Sequence, residues 1–105
     1  MSTQAINQEI DNIKNQLVAK YQPQRIILFG SATQSDKVIN DLDFLIIKNG
    51  LTDSYLDRMR QVRHLLDKNM AADFIVLTPS ELESRQFKRD PMILNIIDTG
   101  RVLYG

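Results

Sequence analysis

Two carboxylates stand one residue apart in a short apolar segment, Asp41-Leu-Asp-Phe-Leu-Ile-Ile47. Successive side chains of a β-strand point to opposite faces, so Asp41 and Asp43 are expected to project from the same face. Two like charges repel each other near an apolar core, and a divalent cation offsets that repulsion. Carboxylate oxygens are hard ligands, which suit Mg²⁺ or Mn²⁺. The pair is therefore a candidate metal site.

A third carboxylate, Asp73, stands near the start of a similar apolar run at residues 71–77. If the two runs form neighbouring strands, Asp73 completes a triad with Asp41 and Asp43. Such a triad resembles a two-metal site, in which one ion activates an attacking oxygen and the other neutralises charge on a phosphate and its leaving group. The three residues are therefore predicted to ligate metal and to be catalytic.

Gly30 and Ser31 follow a third apolar run, Arg25-Ile-Ile-Leu-Phe29, which predicts a buried strand entering a tight turn. Glycine lets phosphate oxygens approach the backbone, and the Ser31 hydroxyl and the turn N–H groups can donate to a triphosphate. Either motif alone is an ordinary structural feature. Gly-Ser about ten residues before an Asp-x-Asp is expected by chance in roughly a few per thousand chains of this length, which favours a nucleotide site.

The elements that must position these residues alternate along the chain. Helical spacing in the first twenty residues predicts an amphipathic helix that Pro23 ends, and residues 32–40 fit either a short helix or a loop. Thr52 is expected to cap a second helix with Asp53 in its first turn, and its apolar stripe is predicted to be Tyr55, Met59, Val62 and Leu66.

After the 71–77 strand, residues 78–81 (Thr-Pro-Ser-Glu) predict a capping box for a helix that reaches about Phe87. Asp90-Pro91 predicts a helix over 92–98, with Gly100 as its C-terminal cap and residues 102–104 as a last strand. The expected fold is α/β (α+β), a small mixed β-sheet packed with helices.

Composition limits the class of protein. The 105 residues are expected to form one domain, 1–105. Thirteen basic residues balance thirteen acidic ones, so the basic excess of a nucleic-acid binder is missing. Cysteine is absent, which excludes disulfides and thiolate chemistry. A cytoplasmic protein without membrane segments is the expectation.

Other polar residues are weaker candidates. His64, the only histidine, lies in a charged helical stretch and predicts an exposed or packing role rather than catalysis. Lys48 is expected to be structural. Solvated helix faces are the expected location of Arg58, Arg60 and the Lys88-Arg89 pair.

The combination of LFGS, nine intervening residues, DLDFLII and ADFIVLTPSELE resembles the minimal nucleotidyltransferase (MNT) proteins of the DNA polymerase beta superfamily. The resemblance runs from about Arg25 to Tyr104. It implies a polymerase beta palm-like fold in which the two aspartates of DLD bind metal, Asp73 completes the triad and can act on the nucleophile, and Gly30 and Ser31 hold the triphosphate. The implied reaction transfers a nucleoside monophosphate from a nucleoside triphosphate, here ATP, to a hydroxyl, and releases pyrophosphate.

The resemblance also implies a partner. Many stand-alone MNT proteins pair with a small all-helical HEPN protein, often a ribonuclease toxin, and some adenylylate a tyrosine of that toxin as its antitoxin. This chain departs from the family in its loop, which has nine residues rather than ten, lacks the Arg-Gly pair and places Asn40 before Asp41. Asn40 can still hydrogen-bond to a nucleotide.

Two alternatives remain open from the sequence. The shortened loop is compatible with a binding module that neutralises its partner by masking a surface. The chain could also be the catalytic subunit of an enzyme that modifies a small molecule such as an aminoglycoside. The acceptor, the preferred nucleotide and the oligomeric state, a homo-oligomer included, are not specified by the sequence.

Overall fold

A computed structural model describes residues 2–34 and 38–105. Its elements, in chain order, are α1 (Thr3–Lys20), β1 (Arg25–Phe29), a 3₁₀ turn (Gly30–Thr33), β2 (Asp41–Ile47), α2 (Tyr55–Leu65), β3 (Ala71–Leu77), α3 (Pro79–Phe87), α4 (Pro91–Thr99) and β4 (Arg101–Tyr104). The strands form a mixed sheet in the order β3-β2-β1-β4, where β2 and β3 are parallel and the other neighbours antiparallel. The predicted fold class is confirmed.

Alternate residues of β2 enter two different hydrophobic cores. Leu42 and Phe44 pack with α1 and α2 on one face of the sheet. Leu45 and Ile47 pack with α3 and α4 on the other face. Asp43 has the same parity as Leu45, so its side chain lies on the face that carries α3 and α4. Because side chains alternate between the two faces of the sheet, Asp41 and Asp43 lie on the face opposite the larger core.

The two helices predicted after β3 are confirmed, and α4 extends one residue beyond the predicted 92–98 at each end. Thr78 and Glu81 form the capping box, because the Glu81 N–H donates to Thr78 Oγ1 at 3.2 Å and the Thr78 N–H donates to Glu81 Oε1 at 2.7 Å. Asp90 caps α4, and Gly100 follows its last residue. Gly100 has an extended backbone rather than the left-handed one of a typical glycine cap, and a Cβ there would overlap the carbonyl oxygen of Ile96.

The predicted start of α2 is wrong by two residues. Ser54, not Thr52, is the N-cap, and its hydroxyl accepts from the Asp57 N–H at 3.2 Å. Asp53 precedes this cap and therefore lies outside the first turn. Its carboxylate accepts from Gln61 at 2.9 Å and lies 3.5 Å from Arg58 Nε.

Replacing Ser54 by alanine is expected to lower the free energy of unfolding by about 1 kcal/mol, because an orphan N–H at the helix start loses its acceptor. Thr52→Ala is the matched control and should change stability by a few tenths of a kcal/mol at most. Urea unfolding followed by circular dichroism measures both. An equal loss in the Thr52 variant would contradict this cap assignment.

Arg58 is buried rather than solvated, which corrects the sequence prediction. Its side chain donates to Glu81 Oε1 at 2.6 Å and to the Val76 carbonyl oxygen at 3.2 Å, and it is paired with Asp53. The guanidinium therefore ties α2 to β3 and α3. Tyr55, predicted to belong to the apolar stripe of α2, is half exposed, and this guanidinium lies over its ring.

None of the helices within the described ranges is long and apolar enough to cross a membrane.

Candidate functional site

The register of the sheet brings the three aspartates together. Asp43 lies directly opposite Asp73 in the parallel β2–β3 pair, and its other neighbour is Phe29, the last residue of β1. Asp41 lies two residues before Asp43 on the same face. One carboxylate oxygen from each aspartate lies within 4.8 Å of the others. The predicted adjacency of the triad is therefore present in the fold.

The environment of the triad changes across the sheet. Asp41 and Asp43 are partly buried, whereas the side chain of Asp73, on the edge strand, is 59% exposed. Burial, and then the neighbouring charges of Asp41 and Asp73, raise the pKa of Asp43 above its ordinary value. The three carboxylates therefore repel one another, and the β3 side of the cluster is open to solvent.

The repulsion predicts that Asp43→Asn stabilises the metal-free protein by about 0.5 kcal/mol at neutral pH, because like charges directly opposite each other on neighbouring strands are unfavourable. A raised pKa means that the folded state binds the proton more tightly than the unfolded chain does. The Asp43 contribution to wild-type stability therefore becomes more favourable as the pH falls through that pKa. The advantage of the variant should disappear below the ordinary aspartate pKa of 3.8.

Chemical denaturation of both proteins in chelator-containing buffer across this pH range measures the difference. A variant that is less stable than the wild type at neutral pH would show that Asp43 is a structural acceptor instead.

Glycine at position 30 allows the backbone at the end of β1 to lie close to the Asp43 carboxylate. Its φ is +77°, in the left-handed region, and a Cβ at this position would lie 2.5 Å from Asp43 Oδ2. Ser31 follows in the 3₁₀ turn, which is closed by a 2.7 Å hydrogen bond from Thr33 Oγ1 to the Gly30 carbonyl oxygen. The Gly-Ser turn and the acidic triad are thus parts of one continuous site.

The loop between the turn and β2 is described in part. Of the predicted short helix or loop over residues 32–40, residues up to Thr33 belong to the 3₁₀ turn, and residues 35–37 lie outside the described residues. Asn40, predicted to contact nucleotide, is exposed in a bend directly before Asp41. Its amide therefore lies next to the triad in the chain and is accessible to a ligand.

Arg63 is the site residue that sequence analysis missed. From the last turn of α2, its Nη2 lies 3.0 Å from Asp73 Oδ1. The charged pattern of α2 indicates only a solvated face, and nothing in the spacing links Arg63 to a strand ten residues later. A signal does exist, because a crossover helix between parallel strands places its last turn near the start of the next strand.

The remaining sequence candidates lie apart from the triad. His64 is exposed on α2, and both Lys88 and Arg89 are exposed beyond α3. Lys48, expected to be structural, donates to the Tyr21 carbonyl oxygen at 2.6 Å and lies over the ring of the same residue. The predicted exposure of His64, Lys88 and Arg89 and the predicted structural contacts of Lys48 are therefore present.

The donor set of the triad fits a hard divalent cation. Carboxylate oxygens are the ligands that Mg²⁺ and Mn²⁺ prefer, and Mg²⁺ retains several positions for water and phosphate oxygens. The exposed side of the site at Asp73 leaves room for such additional ligands. Asp41, Asp43 and Asp73 are the residues that would hold the ion.

Comparison with known proteins supports the fold assignment. No protein-family model matches the chain, and no curated protein matches it. A solved structure does match, that of a candidate nucleotidyltransferase from Sulfolobus solfataricus, with a TM-score of 0.52 and 24% sequence identity. The match covers 80% of this chain and 81% of that chain. The chain therefore has a fold similar to that of a nucleotidyltransferase structure.

Proposed function

We propose that this protein is a metal-dependent nucleotidyltransferase that transfers a nucleoside monophosphate, AMP from ATP, to a hydroxyl group and releases pyrophosphate. The observation that carries the proposal is the convergence of three carboxylate oxygens within 4.8 Å, on β2 and β3, where β2 also pairs with the strand that ends at the Gly30-Ser31 turn. The fold shared with a candidate nucleotidyltransferase supports the same reaction class. So does the resemblance of the motifs to the MNT proteins.

Each residue has a proposed role. Asp41 and Asp43 hold Mg²⁺ or Mn²⁺ together with Asp73, and the Gly30-Ser31 turn binds the triphosphate with help from the Asn40 amide. When bound, the metal supplies charge neutralisation at the phosphates. Asp73 receives the acceptor hydroxyl and takes its proton as the new oxygen–phosphorus bond forms. The bond between the α-phosphorus and the bridging oxygen breaks, and pyrophosphate leaves with that electron pair.

The strand order gives the site two sides. The Gly-Ser turn follows β1, and Asp73 lies on the edge strand β3, with β2 and Asp43 between them. The nucleotide is therefore proposed to occupy the β1 side and the acceptor the β3 side. The exposure of Asp73 suits an acceptor on a separate molecule, because such a group must approach from solvent.

The acceptor that we propose is a hydroxyl side chain of a small all-helical HEPN-type toxin, which the modification neutralises in the cytoplasm. The motif resemblance supports this choice. Balanced charge argues against nucleic acid as a direct partner.

Transfer of label from α-³²P-ATP with Mg²⁺ in a lysate of the source cell tests the proposal. The wild type is compared with the Asp41→Asn, Asp43→Asn variant, and Asp11→Asn on the exposed side of α1 is the matched control. We expect a labelled protein band with the wild type and the control but not with the double variant. The mass of that band then identifies the acceptor.

Other outcomes separate the alternatives. A labelled small-molecule product without a labelled protein band would show that the acceptor is a small molecule such as an aminoglycoside rather than a protein. Absence of any label, together with partner neutralisation that persists in the double variant, would contradict catalysis and favour masking by a binding module.

A further inference from the structure

We infer that Arg63 is a positioning residue that holds the Asp73 carboxylate in the triad. The inference rests on the proposed function, because it concerns the metal and acceptor side of that site. Arg63 Nη2 lies 3.0 Å from Asp73 Oδ1, within the range of a charge-assisted hydrogen bond. This contact engages one oxygen of the carboxylate and leaves Oδ2 for a ligand.

Asp73 needs such a contact more than its partners do. Asp43 is partly buried and packs against Gly30, whereas the side chain of Asp73 is 59% exposed on an edge strand. Among the described residues, Arg63 is the side chain that donates a hydrogen bond to Asp73. Without that bond, the carboxylate would sample several rotamers, and ordering it on an ion would cost conformational entropy.

Arg63 is itself carried by an anchored element. The neighbouring Val62 is completely buried in the core between α2 and the sheet. Arg58, on the same helix, donates to the Val76 carbonyl oxygen of β3. The helix therefore presents the guanidinium at a fixed place relative to the strand that carries Asp73.

A purely electrostatic role for Arg63 has a different signature. A positive charge near a cation site weakens cation binding through Coulomb repulsion. Arg63→Gln alone would therefore strengthen binding by removing this repulsion and weaken binding by removing the positioning contact. Fixed charges act on the ion additively. A coupling between Arg63 and Asp73 in cation binding therefore reports geometry rather than net charge.

A double-mutant cycle on Mn²⁺ binding tests the inference. Free Mn²⁺ is followed by electron paramagnetic resonance in the wild type, Asp73→Asn, Arg63→Gln and the double variant. We expect Asp73→Asn to weaken Mn²⁺ binding about tenfold in the wild-type background, as for other groups that orient or ligate a metal. In the Arg63→Gln background, the factor by which Asp73→Asn weakens Mn²⁺ binding should be about three times smaller, within the range found for coupled neighbours.

Arg60→Gln is the matched control. Arg60 lies on the same helix, carries the same charge and pairs only with Asp57 among the described residues, at 3.7 Å. Asp73→Asn should weaken Mn²⁺ binding by the same factor in the Arg60→Gln and wild-type backgrounds. Equal factors in the Arg63→Gln and wild-type backgrounds would overturn the positioning role and leave the proposed function intact. Failure of the wild type to bind Mn²⁺ would overturn the metal site, and the role of Arg63 with it.

Discussion

Replacing Asp43 by asparagine is expected to reduce the proposed AMP transfer at least about 100-fold, the scale on which lost electrostatic stabilisation of a transition state is measured in other enzymes. Asp43 is the central carboxylate, opposite Asp73 on one side and next to the β1 end on the other. The amide offers a neutral oxygen of similar shape, so the loss reports charge rather than packing. The rate of label transfer from α-³²P-ATP measures it.

The same substitution is expected to stabilise the metal-free fold, because it removes like-charge repulsion. Loss of activity with a gain of stability is the signature of a functional carboxylate rather than a structural one. Asp11→Asn, an exposed change on α1, is the control and should alter neither property appreciably. Retention of more than a tenth of wild-type transfer by the Asp43 variant would contradict its role.

Gly30→Ala is expected to disrupt both the turn and the triad. The left-handed φ of +77° alone costs an L-residue about 1–2 kcal/mol of stability. The added methyl group also overlaps Asp43 Oδ2, at 2.5 Å, so the carboxylate must move. We therefore expect Mn²⁺ binding to weaken about tenfold in addition to the loss of stability.

Gly50→Ala is a closely matched control for this variant. Gly50 has a φ of +79°, and a Cβ there would meet nothing within 4 Å. It should show only the loss of stability that the left-handed backbone causes, measured by urea unfolding, with unchanged Mn²⁺ affinity. If both alanine variants bound Mn²⁺ as the wild type does, the close approach of Gly30 to Asp43 would have no role in shaping the site.

Local chemistry explains which elements the sequence could predict. The bounds of β2 and β3 agree with the sequence prediction because each apolar run is delimited by polar turn residues. The capping box at Thr78 is equally local, because both of its partners lie within one turn. The predicted start of α2 is wrong because Thr52 and Ser54 can both cap a helix. Only the contacts of Asp53 with Arg58 and Gln61 distinguish them.

The site could be predicted only as far as it depends on strand periodicity. Asp41 and Asp43 share a face because two residues separate them, whereas the position of Asp73 requires the parallel β2–β3 register. The roles of Arg58 and Arg63 required tertiary structure. Arg58 pairs with Glu81 across 23 positions, and Arg63 reaches Asp73 from a helix whose charged residues predict only a solvated face.

Mn²⁺ binding by the purified protein, with and without ATP, tests most directly the claim that these aspartates form a metal and nucleotide site. After subtraction of the Mn²⁺ that the same ATP binds without protein, we expect the wild type to bind Mn²⁺ more tightly when ATP is present, because the phosphates and the triad share the ion. The Asp41→Asn, Asp43→Asn variant should lose this binding in both conditions. Equal Mn²⁺ binding by the two proteins, or binding that ATP leaves unchanged, would contradict the proposed nucleotidyl-transfer site.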